Sequence, residues 1–243
     1  MNYSNITIND PNFIKRFLQR SRFTDAIKLY PTQSKILKVL DFGGGDGELC
    51  LRLLEVDSDS NYICYEPAED MNKQAKQKLS GKNKISLINT TESITENSID
   101  IIFSLEVFEH LPEQESLDAL ERIDSILKPG GTLIIGVPNE LFCSALYKGI
   151  FRMFRRFGEF DAQPKNILNC IIGKPPKKRP TGEISPGQSY HFHHLGFDHR
   201  LLAKKLTEKF DNYKRVCTPF GFLGVWASPE IYYAVTKVNR CIN

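Results

Sequence analysis

Apolar residues fall along this chain in two alternating rhythms. Short, nearly continuous runs occur at Val39-Leu40, Tyr62–Tyr65, Ile85–Ile88, Ile99–Leu105 and Thr132–Val137. Between them the apolar positions recur at three and four residues, as in Met71, Ala75 and Leu79, or Leu117, Leu120, Ile123 and Leu127. Runs of the first kind read as strands and repeats of the second kind as helices. Strand and helix in strict alternation give a mostly parallel sheet covered on both faces. Ile99–Leu105 has almost no polar break, which suits a central strand buried on both sides. Lys128-Pro129-Gly130-Gly131 reads as a turn. Towards the C-terminus, Asp198 is placed to cap a helix with Leu201, Leu202, Leu206 and Phe210 inward. Tyr213–Thr218 and Ile231–Val238 follow as closing strands. At the N-terminus, Asp10-Pro11 starts a helix whose positions Phe13, Ile14, Phe17, Leu18 and Ser21 share a face. Its other faces are basic (Lys15, Arg16, Arg20, Arg22), and Pro31 ends the segment.

The alternation breaks after Asn139. Leu141–Phe157 has helical spacing with Phe142, Leu146, Phe151 and Phe154, and carries Lys148, Arg152, Arg155 and Arg156. Ile167–Ile172 is a short apolar stretch, and a basic proline-rich loop runs from Lys174 to Pro180. The expectation is one domain over residues 1–243, with a helical cap over 1–35 and an insertion or lid over 140–190. A solvated loop and a basic helix lying on a membrane surface are the competing readings of the insertion.

Composition narrows the class. At 243 residues the chain is long enough for one large core, and 41% hydrophobic with 25% charged residues is ordinary for a globular protein. A net charge of +3 weighs against nucleic acid as the main partner and leaves a small-molecule substrate as the expectation. The six cysteines form no C-x-x-C pair, which predicts reduced thiols and a cytoplasmic setting. The first thirty residues read as no signal peptide, and no apolar run approaches the ~20 residues of a transmembrane helix. Oligomeric state is not written in these patterns.

The candidate chemistry gathers at KVLDFGGGDGELC, residues 38–50. A strand ends on Asp41, glycines stand at Gly43, Gly45 and Gly47, and a helix begins at Glu48. Such a turn lets a ligand lie against the backbone at a helix N-terminus. The G-x-G-x-x-G spacing of dinucleotide sites fails, because Glu48 takes the third glycine position. Read as D-x-G-x-G-x-G from Asp41, every position is filled. This resembles motif I of the class I S-adenosylmethionine (SAM) methyltransferases. Glu66 closes the second strand, where an acid would receive a ribose diol, and YEPAEDM resembles motif II. LKPGGTLIIGVPN is similar to a later segment of the same enzymes. The resemblance implies a Rossmann-like seven-stranded sheet with an antiparallel pair at its end. It also implies a SAM site of Asp41, Gly43, Gly45, Glu66, Pro67, Met71 and Leu105. The family's adenine-binding aspartate is replaced here by Thr90, with Thr91 or Glu92 as substitutes.

Glu106, Glu109 and His110 then form E-x-x-E-H at the end of the central strand, and His191, His193 and His194 return before Gly196-Phe197-Asp198. The pattern resembles ubiquinone-pathway O-methyltransferases and methyltransferases of small-RNA 3′ ends. In the latter, two glutamates and two histidines hold a divalent ion. That resemblance implies a metal set of Glu106, Glu109, His110 and His194, for Mg, Mn, Fe or Zn. Leu195 occupies the nearest equivalent of the fourth ligand, with His194 beside it. The catalytic candidates are Glu109, His110, His191, His193 and His194, as bases or orienting groups. The expected function is O-methylation of a small hydroxylated or anionic intermediate: sugar, nucleotide-linked or phosphorylated, as in surface-glycan synthesis. The alternatives are methylation of an RNA ribose and a non-catalytic SAM-binding protein.

Overall fold

A computed structural model describes residues 21–31, 35–185, 187–219 and 221–239. The helix expected from Asp10 therefore lies outside the described residues as far as Arg20, and so does Cys241; Ser21 and Arg22 at its end are described. Residues 21–27 are helical. In chain order there follow β1 (Lys38–Phe42), α1 (Glu48–Val56), β2 (Asn61–Tyr65), α2 (Glu69–Lys78), β3 (Ile85–Ile88) and β4 (Ile99–Leu105). Next come α3 (Glu113–Ile126), β5 (Leu127–Pro138), α4 (Phe142–Arg156), α5 (Pro164–Ile171), β6 (Gly182–Ser185) and β7 (Gln188–Tyr190). The chain closes with α6 (His199–Lys209), β8 (Phe210–Thr218), α7 (Gly224–Ala227) and β9 (Glu230–Lys237).

The main sheet has seven strands in the order β3-β2-β1-β4-β5-β9-β8. β1 to β5 are mutually parallel, and β9 runs antiparallel to both of its neighbours. This is the expected seven-stranded Rossmann-like sheet. Alternate residues of each strand feed opposite cores, as the pleat requires. Leu40, Ile102, Leu133 and Tyr233 pack under α3 and α6, with Leu120, Ile123, Leu202 and Leu206. Val39, Ile101, Ile134 and Tyr232 pack on the other face with Leu53, Ala75 and Ala26. Asp198 caps α6, its side chain accepting from the Arg200 N–H at 3.0 Å.

Three local expectations are corrected. Lys128–Gly131 is a bulge inside β5, because the register to β4 skips from Ile99↔Leu127 to Ile101↔Thr132. Leu127 accordingly belongs to the strand and not to the helix before it. Leu201 faces solvent while its neighbour Leu202 is buried, so the inward stripe of α6 is narrower than its leucines suggest.

The segment after β5 builds a small core of its own. Leu141, Ala145, Ile167, Cys170 and Leu195 are buried together. Gly149 allows the close approach of α4 and α5: a Cβ there would lie 2.5 Å from Ile167. Glu140 is fully buried and takes a bidentate pair from Arg152 at 2.7 and 2.9 Å. Burial alone would raise this carboxyl, yet Arg152 and Lys148 hold it well below the usual range.

Candidate active site

Parallel strands of an open sheet present ligands at their carboxyl ends. The ends of β1, β2 and β4 here border a cavity of about 720 Å³. Gly43, Gly45, Glu66, Pro67, Met71, Thr91 and Leu105 line it. The glycine turn is held by Tyr65, whose carbonyl accepts from the N–H groups of Gly43 and Gly44 at 2.9 and 2.8 Å. Gly43 sits against Val107, where a Cβ would come within 2.5 Å of a methyl. Gly45 differs: among the described residues a Cβ there would meet nothing within 4 Å, so the cavity opens at this point. Its φ of +56° is what disfavours any other residue.

Glu66 is buried at the end of β2. Its two oxygens accept from the N–H groups of Gly45 and Ala68, both at 2.8 Å. Burial raises the carboxyl, and these two N–H groups pull it back. Asp41 lies beneath the turn, not on the cavity wall. It is buried beside Cys50, whose thiol is 3.9 Å from Oδ2, and burial pushes it up to about 7 with Glu66 and Asp46 adding to the rise. Thr90 and Glu92 are exposed and off the cavity wall. Thr91 reaches the wall, and its hydroxyl accepts from Arg122 at 3.2 Å.

Beside this cavity, Glu109, His110 and His194 each bring a ligand atom within 4.8 Å of the others. His110 Nδ1 lies 2.7 Å from the His191 carbonyl, so this nitrogen carries the proton and Nε2 is left as an acceptor. Nε2 faces His194 Nε2 at 3.2 Å and Glu109 Oε1 at 3.7 Å. Burial lowers His110 to about 4 and depresses His194 as well. Burial raises Glu109 to about 8. Both Glu109 oxygens are buried without a hydrogen-bond partner among the described residues. Glu106 stands next to this group at φ +56°, an uncommon conformation for a residue with a side chain. Its Oε2 pairs with Arg22 at 3.0 Å, while Oε1 is buried and unpartnered among the described residues. Arg22 also bonds Glu230 at 2.7 Å.

The donor set fits a divalent cation. Two imidazole nitrogens and unpartnered carboxylate oxygens of mixed type converge in a buried space, with one imidazole already oriented by a backbone carbonyl. The three returning histidines part company. His194 turns into the site. His193 points into the insertion, 3.4 Å from Asp161. His191 Nδ1 lies 3.0 Å from the Pro180 carbonyl, and its contribution to the site is its backbone.

Several participants left little trace in the pattern of the chain. Arg179 donates to the carbonyls of Glu109 and His193, stapling the E-x-x-E-H segment to the histidine segment. Tyr190 stacks on His110 with ring centroids 4.4 Å apart and planes 9° from parallel. Tyr190, Phe192, Asp118 and Arg122 all line the cavity at the strand ends. Only the basic character of the loop around Arg179 gave a signal.

Comparison with known proteins places this arrangement. Residues 40–133 match the model of a methyltransferase domain. An uncharacterized methyltransferase from Geobacillus kaustophilus is 37% identical over 97 residues, which is 40% of this chain and 44% of that protein. The chain thus spans less than half the length of the curated relatives it matches. A SAM-dependent methyltransferase from Aquifex aeolicus shares the fold with a TM-score of 0.56 at 16% identity, covering 89% of both chains. The methyltransferase domain of bacterial CtHen1 does so with a TM-score of 0.58 at 18% identity, covering 91% of this chain and 99% of that one. Residues 40–133 thus match a methyltransferase domain, and the fold built around them is the one shared with SAM-dependent methyltransferases.

Proposed function

We propose that this protein is an O-methyltransferase that uses SAM and a divalent ion, held by Glu106, Glu109, His110 and His194. The observation that carries this reading is the pair of buried, unpartnered oxygens on Glu109, facing two neutral imidazoles. A buried carboxylate without a partner is costly, and a cation supplies the missing charge.

SAM would supply a sulfonium methyl, and the ion would lower the pKa of an acceptor hydroxyl. The residues of this chain do the rest. Each oxygen of Glu66 has a second acceptor position free for a ribose hydroxyl. Gly43 and Gly45 leave the backbone bare on the cavity side, and Met71, Pro67 and Leu105 give it apolar walls. Asp41 supports the turn from below. The Tyr190 ring fixes the plane of His110, and the His191 carbonyl fixes its tautomer. Rate then comes from holding the hydroxyl in line with the methyl, with its proton accepted nearby.

The acceptor class we favour is a small hydroxylated or anionic intermediate (sugar, nucleotide-linked or phosphorylated) of surface-glycan synthesis in the cytoplasm. Residues 1–243 form one domain in this reading, with 1–35 as cap and 140–190 as lid. The second reading is methylation of an RNA ribose, favoured by the likeness of Glu106, Glu109 and His110 to three ligand positions of the small-RNA enzymes, with His194 beside the fourth.

The test is turnover of SAM on sugar phosphates, nucleotide sugars and RNA 3′ ends, before and after removal of metal. Chelation should abolish turnover, and one added divalent ion should restore it and raise the melting temperature. His110→Ala should cost on the order of 10²–10⁴ in rate. Undiminished turnover by the chelated protein would sink the metal reading. Transfer to RNA alone would select the second substrate class.

A further inference from the structure

Helix α4 is inside out. Ala145 and Gly149 face inward, and so does Arg152, which pairs with buried Glu140 and Asp161. Tyr147, Ile150, Phe151 and Phe154 follow the i, i+3, i+4, i+7 spacing of one face, and that face is exposed. Phe154 is 88% and Phe157 75% exposed. An amphipathic helix of a globular domain normally turns its apolar stripe to the core. Here the stripe looks outward.

The stripe continues beyond the helix. α7 packs beside α4: Phe142 and Trp226 have ring centroids 4.5 Å apart, and the Tyr147 hydroxyl donates to the Ala227 carbonyl at 3.2 Å. Trp226 is 63% exposed, and Phe222 before it is 87% exposed. Exposed aromatic side chains thus line α4 and the neighbouring α7, where scattered exposure would be unremarked.

Cations border this surface. Arg155 lies 5.5 Å over the Phe151 ring and makes no ion pair among the described residues. The loop after α5 returns to Phe142 at Gly173 and leaves Lys174, Lys177 and Lys178 exposed. Residues 140–190 hold nine Lys and Arg against four Asp and Glu, a local excess larger than the +3 of the whole chain.

We propose that the face formed by α4, α7 and the turn before α7 docks on the surface of an anionic lipid bilayer. Phe154, Phe157, Phe222 and Trp226 would enter the headgroup boundary, and Arg155 with the lysines of the loop would meet lipid phosphates. Aromatic residues on one side with lysine and arginine along the border are what an interfacial helix needs. Charge complementarity selects this occupant over a second copy of the chain, whose own basic border would repel it. The proposal stands independently of the metal and of the acceptor class.

Trp226 is the sole tryptophan in the sequence, so its emission reads this surface alone. Vesicles of phosphatidylcholine with phosphatidylglycerol should shift the emission to the blue, and brominated lipids should quench it. Phosphatidylcholine alone should do neither. Phe154→Glu with Phe157→Glu should abolish the shift, while SAM affinity and the far-UV dichroism stay unchanged. Each cation near an anionic surface contributes roughly fivefold to partitioning. Arg155→Glu with Lys174→Glu should therefore weaken binding by at least tenfold. No shift with anionic vesicles, or an equal shift with neutral ones, would overturn the proposal. So would a blue shift without lipid that grows with protein concentration alongside dimer in sedimentation, which would give the face to a second copy.

Discussion

The two walls of the site are built by different means. The wall we assign to the cofactor is made of backbone: Tyr65 holds the glycine turn, Glu66 holds Gly45 and Ala68, and these residues lie within a short span of chain. The wall we assign to the acceptor is made of side chains from distant places. Arg22, Glu106, Glu109, Arg179, His194 and Glu230 meet there, and burial shifts the titration of several of them. A wall of backbone bonds is specified by local sequence. A wall of converging charges needs the whole fold, and each member depends on its partners.

The largest expected effect tests that dependence. Arg22→Ala leaves half-buried Glu106 and buried Glu230 without their shared cation, and should cost about 3 kcal/mol in stability, the lower end of the range for a buried pair. Chemical denaturation measures it. A loss under 1 kcal/mol would mean that the acceptor wall is no more interdependent than the cofactor wall.

A second variant lies outside both walls and sets the background. His199 is buried with Nδ1 2.8 Å from the Tyr233 hydroxyl, and burial lowers it from 6.5 to about 4. The fold therefore prefers the neutral ring, and the unfolded chain binds the proton first as pH falls. The stability tied to this preference is complete above pH 6.5 and is lost down to about pH 4, some ~3 kcal/mol in all. His199→Gln should flatten that part of the pH–stability curve. A curve of unchanged slope would place the acid lability in the walls instead.

The smallest effect concerns the cofactor wall. Glu66→Gln keeps one acceptor oxygen and loses the charge, and should weaken SAM by about 1.5–3 kcal/mol by calorimetry. Equal affinity would reduce Glu66 to a brace for the turn. Gly45→Val is a poorer probe, because the backbone there has φ +56° and the variant would be strained before any ligand arrives.

This contrast also explains what was legible in the chain. Strand runs, helical repeats, the D-x-G-x-G-x-G turn and Glu66 are local; they foretold the parallel strands and one wall of the cavity, and the family resemblance supplied the antiparallel pair at the sheet's end. The histidine cluster was legible as a cluster. Its division into one inward ring, one ring on Asp161 and one backbone brace was not, since neighbouring residues of a loop point by tertiary context. Arg179 reaches Glu109 across 70 residues and Tyr190 reaches His110 across 80, which no periodicity encodes. The apolar stripe of α4 was visible, but its spacing is the same whether it faces in or out.

The place of β9 in the sheet has a consequence for synthesis. β9 fills the gap between β5 and β8, yet it is made after both. At 5–20 residues per second, the free edge of β5 waits roughly 5–20 s for its partner to emerge. For that interval the nascent chain carries an apolar strand with an unpaired row of amides, open to a neighbour on the same message. Production of this protein should thus be most sensitive to ribosome spacing and translation speed between residues 138 and 237.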